Sequence, residues 1–141
     1  MVQGYQRMLP QLNQENAFYW TSGADGELRI LRCQDCGTWL HPPRPICGKC
    51  LSRNLAPEAV SGKGEVFSFT VNCKSWGPGL EVPYVIAVVE LAEQPGLQLT
   101  SNLRGVAPEA VRIGMRVEVE FERDEDVWLP MFRPAGAPQI A

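Results

Sequence analysis

Cys33-Gln34-Asp35-Cys36 and Cys47-Gly48-Lys49-Cys50 are two C-x-x-C pairs separated by ten residues. Each pair can turn tightly around a metal ion and offer two thiolates, so that the two pairs together complete a tetrahedral four-sulfur site. Gly37 and Gly48 suit the sharp turns of such knuckles. The loop between the pairs is too short to hold a core, so metal binding would supply the folding energy. The spacing predicts a metal-binding ribbon, with chance disulfides or free thiols as the alternatives.

The identity of the metal follows less directly from these residues. Four thiolates suit zinc or iron, which softness and geometry alone do not separate. A closed four-ligand zinc site has no open position for a substrate and is structural. We expect one structural zinc ion, with a rubredoxin-like mononuclear iron as the less favoured alternative. His41, the only histidine, could replace a cysteine, but four cysteines suffice and we expect it to be a loop residue beside the site.

Composition excludes several broad classes. The chain has 141 residues, a net charge of −3 and 45% hydrophobic residues, which indicates one domain, or a small domain with an appended module. An acidic balance disfavours general binding to nucleic acid or anionic membranes. No run approaches the roughly 18–20 apolar residues of a membrane span, and the first residues lack a secretory pattern. Cysteines in metal spacing fit a reducing compartment. We therefore expect a cytoplasmic protein without a membrane partner.

The N-terminal segment before the ribbon, residues 1–26, is predicted to contain one helix, from Pro10 to Trp20, and residues 1–9 show no clear pattern. Phe18, Tyr19 and Trp20 concentrate three aromatic rings before a Gly-rich turn. Two interpretations remain open. The rings cap the core of a small domain, or they dock on a partner, because aromatic residues are enriched at interfaces.

The predicted ribbon, residues 27–60, begins with a strand at Leu28–Arg32 and carries a local basic patch. Only Asp35 opposes its five cations, which are Arg29, Arg32, Arg44, Lys49 and Arg53. Such charges form a solvated face, balance a four-thiolate metal site, or meet phosphates or an acidic partner surface. Arg44 therefore joins the three rings as a candidate for partner docking.

Beyond residue 60 the hydrophobic period changes to two, which predicts five strands. They are Glu65–Cys73, Tyr84–Leu91, Leu97–Leu103, Met115–Arg123 and Val127–Arg133. In the first strand Phe67, Phe69, Val71 and Cys73 share one face, so Cys73 is predicted to be a small buried hydrophobe. The second strand is almost continuously apolar, as expected for a strand covered on both sides.

The fourth strand alternates most clearly. Val117, Val119 and Phe121 are predicted to point inward, and three glutamates, Glu118, Glu120 and Glu122, outward as a solvated face. Five short strands with one helical turn at Pro108–Val111 suit the OB-fold. The predicted architecture is mainly β: an N-terminal helix, a rubredoxin-like zinc ribbon and a C-terminal five-stranded OB-fold barrel over residues 61–134. Residues 135–141 are predicted to be a flexible tail.

Catalytic constellations are scarce. A single histidine in the ribbon loop leaves little room for a Ser-His-Asp or Cys-His arrangement. Gly62-x-Gly64 lacks the third glycine of a dinucleotide fingerprint, and no phosphate-binding loop motif occurs. On its residues alone the chain is predicted to be a binding or scaffolding module rather than a self-sufficient enzyme.

The run from Gly26 to Pro134 resembles the zinc-ribbon/OB-fold accessory proteins associated with thiolases and acyl-CoA aldolases. The matching motifs are Leu31-Arg32-Cys33-x-x-Cys36-Gly37, Pro42-Pro43-Arg44-x-x-Cys47-x-x-Cys50, Ser61-Gly62-x-Gly64, Phe67-Ser68-Phe69-Thr70, Val82-Pro83-Tyr84-x-Ile86-Ala87-x-Val89-Glu90-Leu91, Ile113-Gly114-Met115-x-Val117 and Leu129-Pro130-x-Phe132-Arg133-Pro134. One departure is Gly48, where relatives commonly carry proline, and it leaves the metal ligands intact.

The resemblance implies a non-catalytic subunit bound to a thiolase-like protein that makes or breaks carbon–carbon bonds in acyl-CoA thioesters. Relatives serve steroid side-chain aldolases and aromatic-degradation thiolases such as the benzoylsuccinyl-CoA type, and the catalytic residues would belong to the partner. The barrel would then contact acyl-CoA or the partner through Trp76, Gly77, Gly79, Phe132 and Arg133. Packing at the end of the barrel is the alternative role for these aromatic residues.

Two further functions remain open. A barrel with a ribbon also describes single-stranded nucleic-acid binders, which combine stacking aromatics with a basic groove. Here Phe67, Phe69 and Phe121 are expected in the core, and the glutamate face would repel phosphate, so nucleic acid is the less favoured partner. Electron transfer through iron at the cysteine site would instead give a red protein.

Overall fold

The computed structural model describes residues 7–77 and 79–136. Residues 1–6, 78 and 137–141, including most of the predicted tail, lie outside the described residues. The described residues are mainly β, with one short α-helix, α1 (Ala17–Thr21), and eight strands. The strands are β1 (Leu28–Cys33), β2 (Trp39–Leu40), β3 (Leu55–Val60), β4 (Lys63–Asn72), β5 (Tyr84–Leu91), β6 (Gln98–Leu103), β7 (Arg116–Asp124) and β8 (Val127–Pro134).

The first three strands form the ribbon sheet in the order β2-β1-β3, with both pairs antiparallel. The predicted strand at Leu28–Arg32 is confirmed as β1. The strand β3 was not predicted from the sequence, because Pro57 and Glu58 interrupt its apolar pattern. This strand is at the edge of the sheet, where a proline without an N–H is tolerated.

The other five strands close into a barrel in the order β4-β5-β6-β8-β7. All neighbours are antiparallel except β6 and β8, which pair in parallel through Leu103 and Phe132. The Arg104 N–H donates to the Phe132 carbonyl at 2.8 Å and extends this closure. A 3₁₀ turn at Pro108–Ala110 lies between β6 and β7. The predicted five-stranded OB-fold barrel is confirmed.

A β-bulge in β4 shifts the predicted inward face. Val66 is opposite Val89, but Ser68 is opposite Val88, so one extra residue is inserted between them. Val66 is buried, and Phe67, predicted to point inward, is 52% exposed. Beyond the bulge Phe69 packs against the core, as predicted.

Two other burial predictions were wrong. Cys73 is exposed, because β4 ends at Asn72 and the thiol belongs to the following loop. The strand β5 is not covered on both sides. Its side chains alternate between buried and half-buried, since only one face of a barrel wall points into the core.

The N-terminal segment contains much less helix than predicted. Residues 10–13 are not helical, and α1 begins only at Ala17. The side-chain oxygen of Asn13 accepts hydrogen bonds from the backbone N–H groups of Glu15 and Asn16, both at 2.9 Å, and this local turn competes with helix formation. Across the described residues, no helix combines the length and apolar character needed to cross a membrane.

The same segment covers one outer side of the barrel. Leu9, Leu12 and Trp20 pack against three buried residues of β8, which are Val127, Leu129 and Met131. A 3₁₀ turn at Ser22–Asp25 follows α1. A Cβ atom at Gly23 would be 2.5 Å from both Phe121 Cδ1 and Trp128 Cβ, so only glycine lets this turn approach the β7–β8 hairpin.

A continuous core joins the ribbon to the barrel. Leu28, Ile30 and Trp39 of the ribbon are in the same buried cluster as the inner side chains of the barrel strands. The side chain of Gln94 reinforces the junction as a partner for β2. Its Oε1 accepts from the Trp39 N–H at 2.9 Å, and its Nε2 donates to the Trp39 carbonyl at 3.0 Å.

We expect Gln94→Ala to lower the free energy of unfolding by about 1–3 kcal/mol, because both backbone groups of Trp39 lose their partner. Urea denaturation of the metal-loaded protein measures this loss. Gln98→Ala, which shortens the same side chain on β6, is the matched control. Equal denaturation midpoints for Gln94→Ala and the wild type would contradict the proposed role of Gln94.

Candidate metal centre and neighbouring surfaces

The four predicted cysteine ligands come together at one end of the ribbon. The Sγ atoms of Cys33, Cys36, Cys47 and Cys50 all lie within 4.8 Å of one another. Cys33 and Cys50 are 3.5 Å apart, and Cys36 and Cys47 are 3.6 Å apart. Tetrahedral coordination with metal–sulfur bonds of about 2.3 Å requires sulfur–sulfur distances of about 3.8 Å. The donor set and its geometry fit a four-thiolate metal ion.

Each knuckle is built by the same two backbone hydrogen bonds. The first cysteine of a pair donates its N–H to the carbonyl five residues later and accepts the N–H four residues later. The four bonds are Cys33 to Thr38 at 2.8 Å, Gly37 to Cys33 at 2.9 Å, Cys47 to Ser52 at 2.9 Å and Leu51 to Cys47 at 2.9 Å.

The residue directly after the second cysteine has a left-handed backbone in both knuckles. Gly37 has a φ of 79° and Leu51 a φ of 64°. Gly37 is in the first turn, as predicted from the sequence. Gly48 was predicted to make the sharp turn of the second knuckle, but the left-handed residue there is Leu51. This backbone conformation is unfavourable for leucine.

The surroundings favour the thiolate form that binds metals at Cys33 and Cys36, whereas the hydrogen bond with Cys33 and desolvation raise the pKa of Cys50 to about 12. Cys33 and Cys47 are buried in the ribbon's own small core, and Cys36 and Cys50 are exposed. A hydrogen bond between Cys36 Sγ and the Thr38 hydroxyl, at 3.1 Å, lowers the pKa of Cys36 to about 6. The Lys49 N–H donates to Cys47 Sγ at 3.4 Å.

His41 is not part of the cysteine cluster. Its ring packs against Tyr19 with the ring centroids 4.9 Å apart. Burial lowers the pKa of His41 to about 4, so the imidazole is neutral near neutral pH. This histidine joins the ribbon loop to α1 and is a packing residue.

Acidification between about pH 6.5 and 4 is expected to destabilise the protein through His41. In this range the unfolded state binds a proton at His41 that the folded state excludes. The free energy of unfolding therefore decreases as the pH is lowered, by at most about 1.4 kcal/mol per pH unit. His41→Phe should remove this component. Urea denaturation of both proteins at several pH values isolates it, because thiolate protonation is common to both. Parallel stability curves would contradict the expectation.

The three N-terminal rings favour the interpretation that they cap the core. Tyr19 is only 6% exposed, and Phe18 and Trp20 are half-buried against the core. Tyr19 and Trp20 pack edge to face with centroids 4.8 Å apart. Arg44, by contrast, is exposed, and no carboxylate in the described part of the chain pairs with it.

The structure does not unite the five predicted barrel contacts in one site. Phe132 has 0% exposed surface and belongs to the core, so it is not available to a ligand. Arg133 forms an ion pair with Glu118 at 3.0 Å. Trp76 is 71% exposed, and its ring lies 4.4 Å from Lys74 Nζ.

The two predicted glycine contacts lie on the loop after β4. Gly77 immediately precedes residue 78, which lies outside the described residues, and Gly79 is exposed. Gly79 lines a groove of about 840 Å³ that also contains Arg7, Tyr84 and Arg104. A contact of this loop with acyl-CoA or a partner stays a prediction.

The outer face of β7 is a charge ladder rather than the free acidic surface that the sequence indicated. Three arginines from other elements pair with its glutamates: Arg133 with Glu118 at 3.0 Å, Arg104 with Glu120 at 3.0 Å and with Glu122 at 2.8 Å, and Arg7 with Glu122 at 3.1 Å. The prediction considered β7 alone. Arg104, directly after β6, and Arg133, near the end of β8, are the residues of the sequence that could have indicated these ion pairs.

Comparisons with known families cover both parts of the chain. Residues 20–56 match the family described as the ChsH2 rubredoxin-like zinc ribbon domain. Residues 57–122 match the ChsH2 C-terminal OB-fold domain.

Two curated relatives are longer proteins. The chain is 41% identical over 130 residues to a probable enoyl-CoA hydratase alpha subunit of Thermomonospora curvata, covering 92% of this chain and 40% of the relative. It is 40% identical over 114 residues to the 3-oxo-4,17-pregnadiene-20-carboxyl-CoA hydratase alpha subunit of Mycobacterium tuberculosis, covering 81% and 36%. The chain thus spans less than half the length of these two relatives.

A solved structure matches almost completely. This chain is similar to a chain of a structure described as Ltp2-ChsH2(DUF35) aldolase, with a TM-score of 0.82 and 40% identity. The alignment covers 90% of this chain and 99% of that chain.

Proposed function

The chain belongs to the ChsH2 family of zinc-ribbon and OB-fold proteins, and from this we propose that it is a non-catalytic subunit that binds and supports a thiolase-like enzyme acting on acyl-CoA thioesters. The observation that carries the proposal is the 40% identity over 99% of a chain in a structure whose title joins ChsH2 with Ltp2 as an aldolase. The reaction would take place on the partner, and this chain would order the partner's substrate channel.

The chemistry of the described residues supports a non-catalytic role. Four cysteines form a closed ligand set that leaves no position for a substrate. His41, the only histidine of the sequence, is held against Tyr19 and has a pKa of about 4. Cys73, the remaining thiol, is on a loop after β4.

We propose a steroid side-chain thioester as the substrate class, ahead of aromatic thioesters such as benzoylsuccinyl-CoA. The support is the name of the mycobacterial relative, a hydratase of a pregnadiene carboxyl-CoA. That relative extends well beyond the aligned region, so its hydratase activity is not transferred to this chain.

We assign one structural zinc to the four cysteines. Thiolate donors and a tetrahedral arrangement favour zinc or iron, and zinc needs no redox role in a scaffold. Metal analysis should find about one zinc per chain in a colourless protein, whereas red protein with iron would contradict the assignment. Four thiolate ligands also favour the reducing cytoplasm as its location.

A pull-down of the tagged chain from its native host tests the accessory role. We expect recovery of a protein with the catalytic cysteine and histidine of a thiolase, in constant ratio to the chain after gel filtration. Rates of acyl-CoA cleavage by the partner alone and by the partner bound to this chain would show how much the chain raises the partner's activity. Recovery of the chain alone would reject the proposal.

Single-stranded nucleic acid is the second candidate, since the ribbon carries exposed cations. The ion-paired face of β7 argues against a basic groove along the barrel. Fluorescence anisotropy with a labelled single-stranded oligonucleotide separates the candidates. Tight, salt-sensitive binding would favour nucleic acid over the enzyme partner.

A further inference from the structure

The tip of the second knuckle carries an unusual residue. Leu51 is 75% exposed, and its φ of 64° is left-handed. A leucine in this backbone region is disfavoured because its Cβ approaches the neighbouring carbonyl oxygen. Leu51 therefore combines a strained backbone with an exposed side chain.

The first knuckle shows that metal binding does not require a leucine there. Gly37 occupies the equivalent position with the same two hydrogen bonds around the first cysteine of its pair. Glycine adopts this conformation without strain. Strained positions of this kind concentrate at functional sites, so Leu51 points to a role outside the folding of the knuckle.

Three cations lie on or beside the turn that carries this leucine. Lys49 and Arg53 flank it in the turn, and Arg44 Nη1 is 3.7 Å from the position of a Cβ on Gly48. All three are exposed, and none forms an ion pair with a carboxylate in the described part of the chain. Asp35, the acid of the first knuckle, accepts hydrogen bonds from the side chains of Ser52 and Asn54.

We propose that the second knuckle tip, Leu51 with Arg44, Lys49 and Arg53, is a docking surface for the thiolase-like partner. The partner's complementary surface is an apolar socket for Leu51 bordered by carboxylates. Exposed cations without carboxylate partners attract an acidic surface, and the exposed apolar side chain among them, which a phosphate backbone does not bury, selects a protein as the occupant. The inference rests on the proposed function and identifies the surface of this chain that performs it.

If Leu51 docks on the partner, Leu51→Gly should stabilise the chain and weaken its binding to the partner. Relief of strain should raise the Tm of the metal-loaded chain by about 2–6 °C. Loss of the apolar side chain should weaken the partner complex at least about five-fold. Leu51→Ala keeps the strained backbone and should weaken binding without raising the Tm.

Binding is measured by calorimetry with the separately purified thiolase-like subunit identified in the pull-down. Ile113→Gly, which removes another exposed apolar side chain, is the control for Leu51→Gly. Lys49→Glu and Arg53→Glu should slow association, and the effect should shrink as salt is added. Lys63→Glu, an exposed cation on β4, is the control for charge reversal.

The outcomes separate the two proposals. Weaker binding by both Leu51 variants, with Ile113→Gly unchanged, supports the docking surface. Wild-type affinity in Leu51→Gly overturns the docking surface and leaves the accessory function intact. Failure of the wild-type chain to bind any thiolase-like subunit overturns both. Loss of self-association or oligonucleotide binding in the Leu51 variants, with partner binding unchanged, also overturns the docking surface.

Discussion

Cys47→Ser is expected to abolish metal binding and to unfold the ribbon. Cys47 is fully buried, and its sulfur is one of four that surround the site. Metal binding contributes roughly 10–16 kcal/mol of apparent free energy in small structural zinc sites. Here it would add to the backbone hydrogen bonds and the small apolar core of the knuckles. The measurement is zinc content per chain, combined with circular dichroism and urea denaturation.

Cys73→Ser is the matched control for this loss. Its thiol is exposed on the loop after β4, so zinc content and stability should stay at wild-type values. Acid titration adds an independent test, because protons compete with the metal for thiolates and zinc release should increase as the pH falls. Full zinc occupancy with unchanged stability in Cys47→Ser would show that the cysteine cluster is not the metal site.

Phe132→Ala is expected to lower the free energy of unfolding by about 3–5 kcal/mol, the cost typical of deleting a buried ring. Phe132 is completely buried and pairs with Leu103 where β6 and β8 close the barrel. The substitution would leave a cavity at the only parallel contact between neighbouring strands of this barrel. Urea denaturation with the metal bound measures the loss.

Trp76→Ala provides the contrast for Phe132→Ala. Both residues were candidates for contacting acyl-CoA or the partner, but Trp76 is exposed on a loop and its removal should change stability by no more than about 0.5 kcal/mol. A stable Phe132→Ala variant that loses partner binding would restore the contact role of Phe132.

Much of the fold was predictable because its signals are local. The spacing of the C-x-x-C pairs identifies the ligands without knowledge of any other element. Alternation identifies β7, whose outer positions are charged. Prediction failed where the deciding contact came from elsewhere in the chain. Both faces of β8 are apolar, because Leu9, Leu12 and Trp20 cover its outer side, and the sequence therefore does not show which face receives Phe132.

The remaining errors have equally specific causes. The bulge at Phe67 leaves the local composition of β4 unchanged and is visible only in its pairing with β5. The cysteine ligands were predictable, but the docking candidate Leu51 was not, because a leucine carries no sign of a left-handed backbone. That conformation emerges only when the two knuckles are compared.

The core shared by the ribbon and the barrel restricts how such proteins can be recombined. If the ribbon alone were exchanged between relatives, Leu28, Ile30 and Trp39 would have to pack against a barrel with different core side chains. Gln94 would also lose its hydrogen bonds to the original β2. Ribbon and barrel are therefore expected to be inherited as one piece. A graft that moves this scaffold onto another enzyme should transfer both parts together.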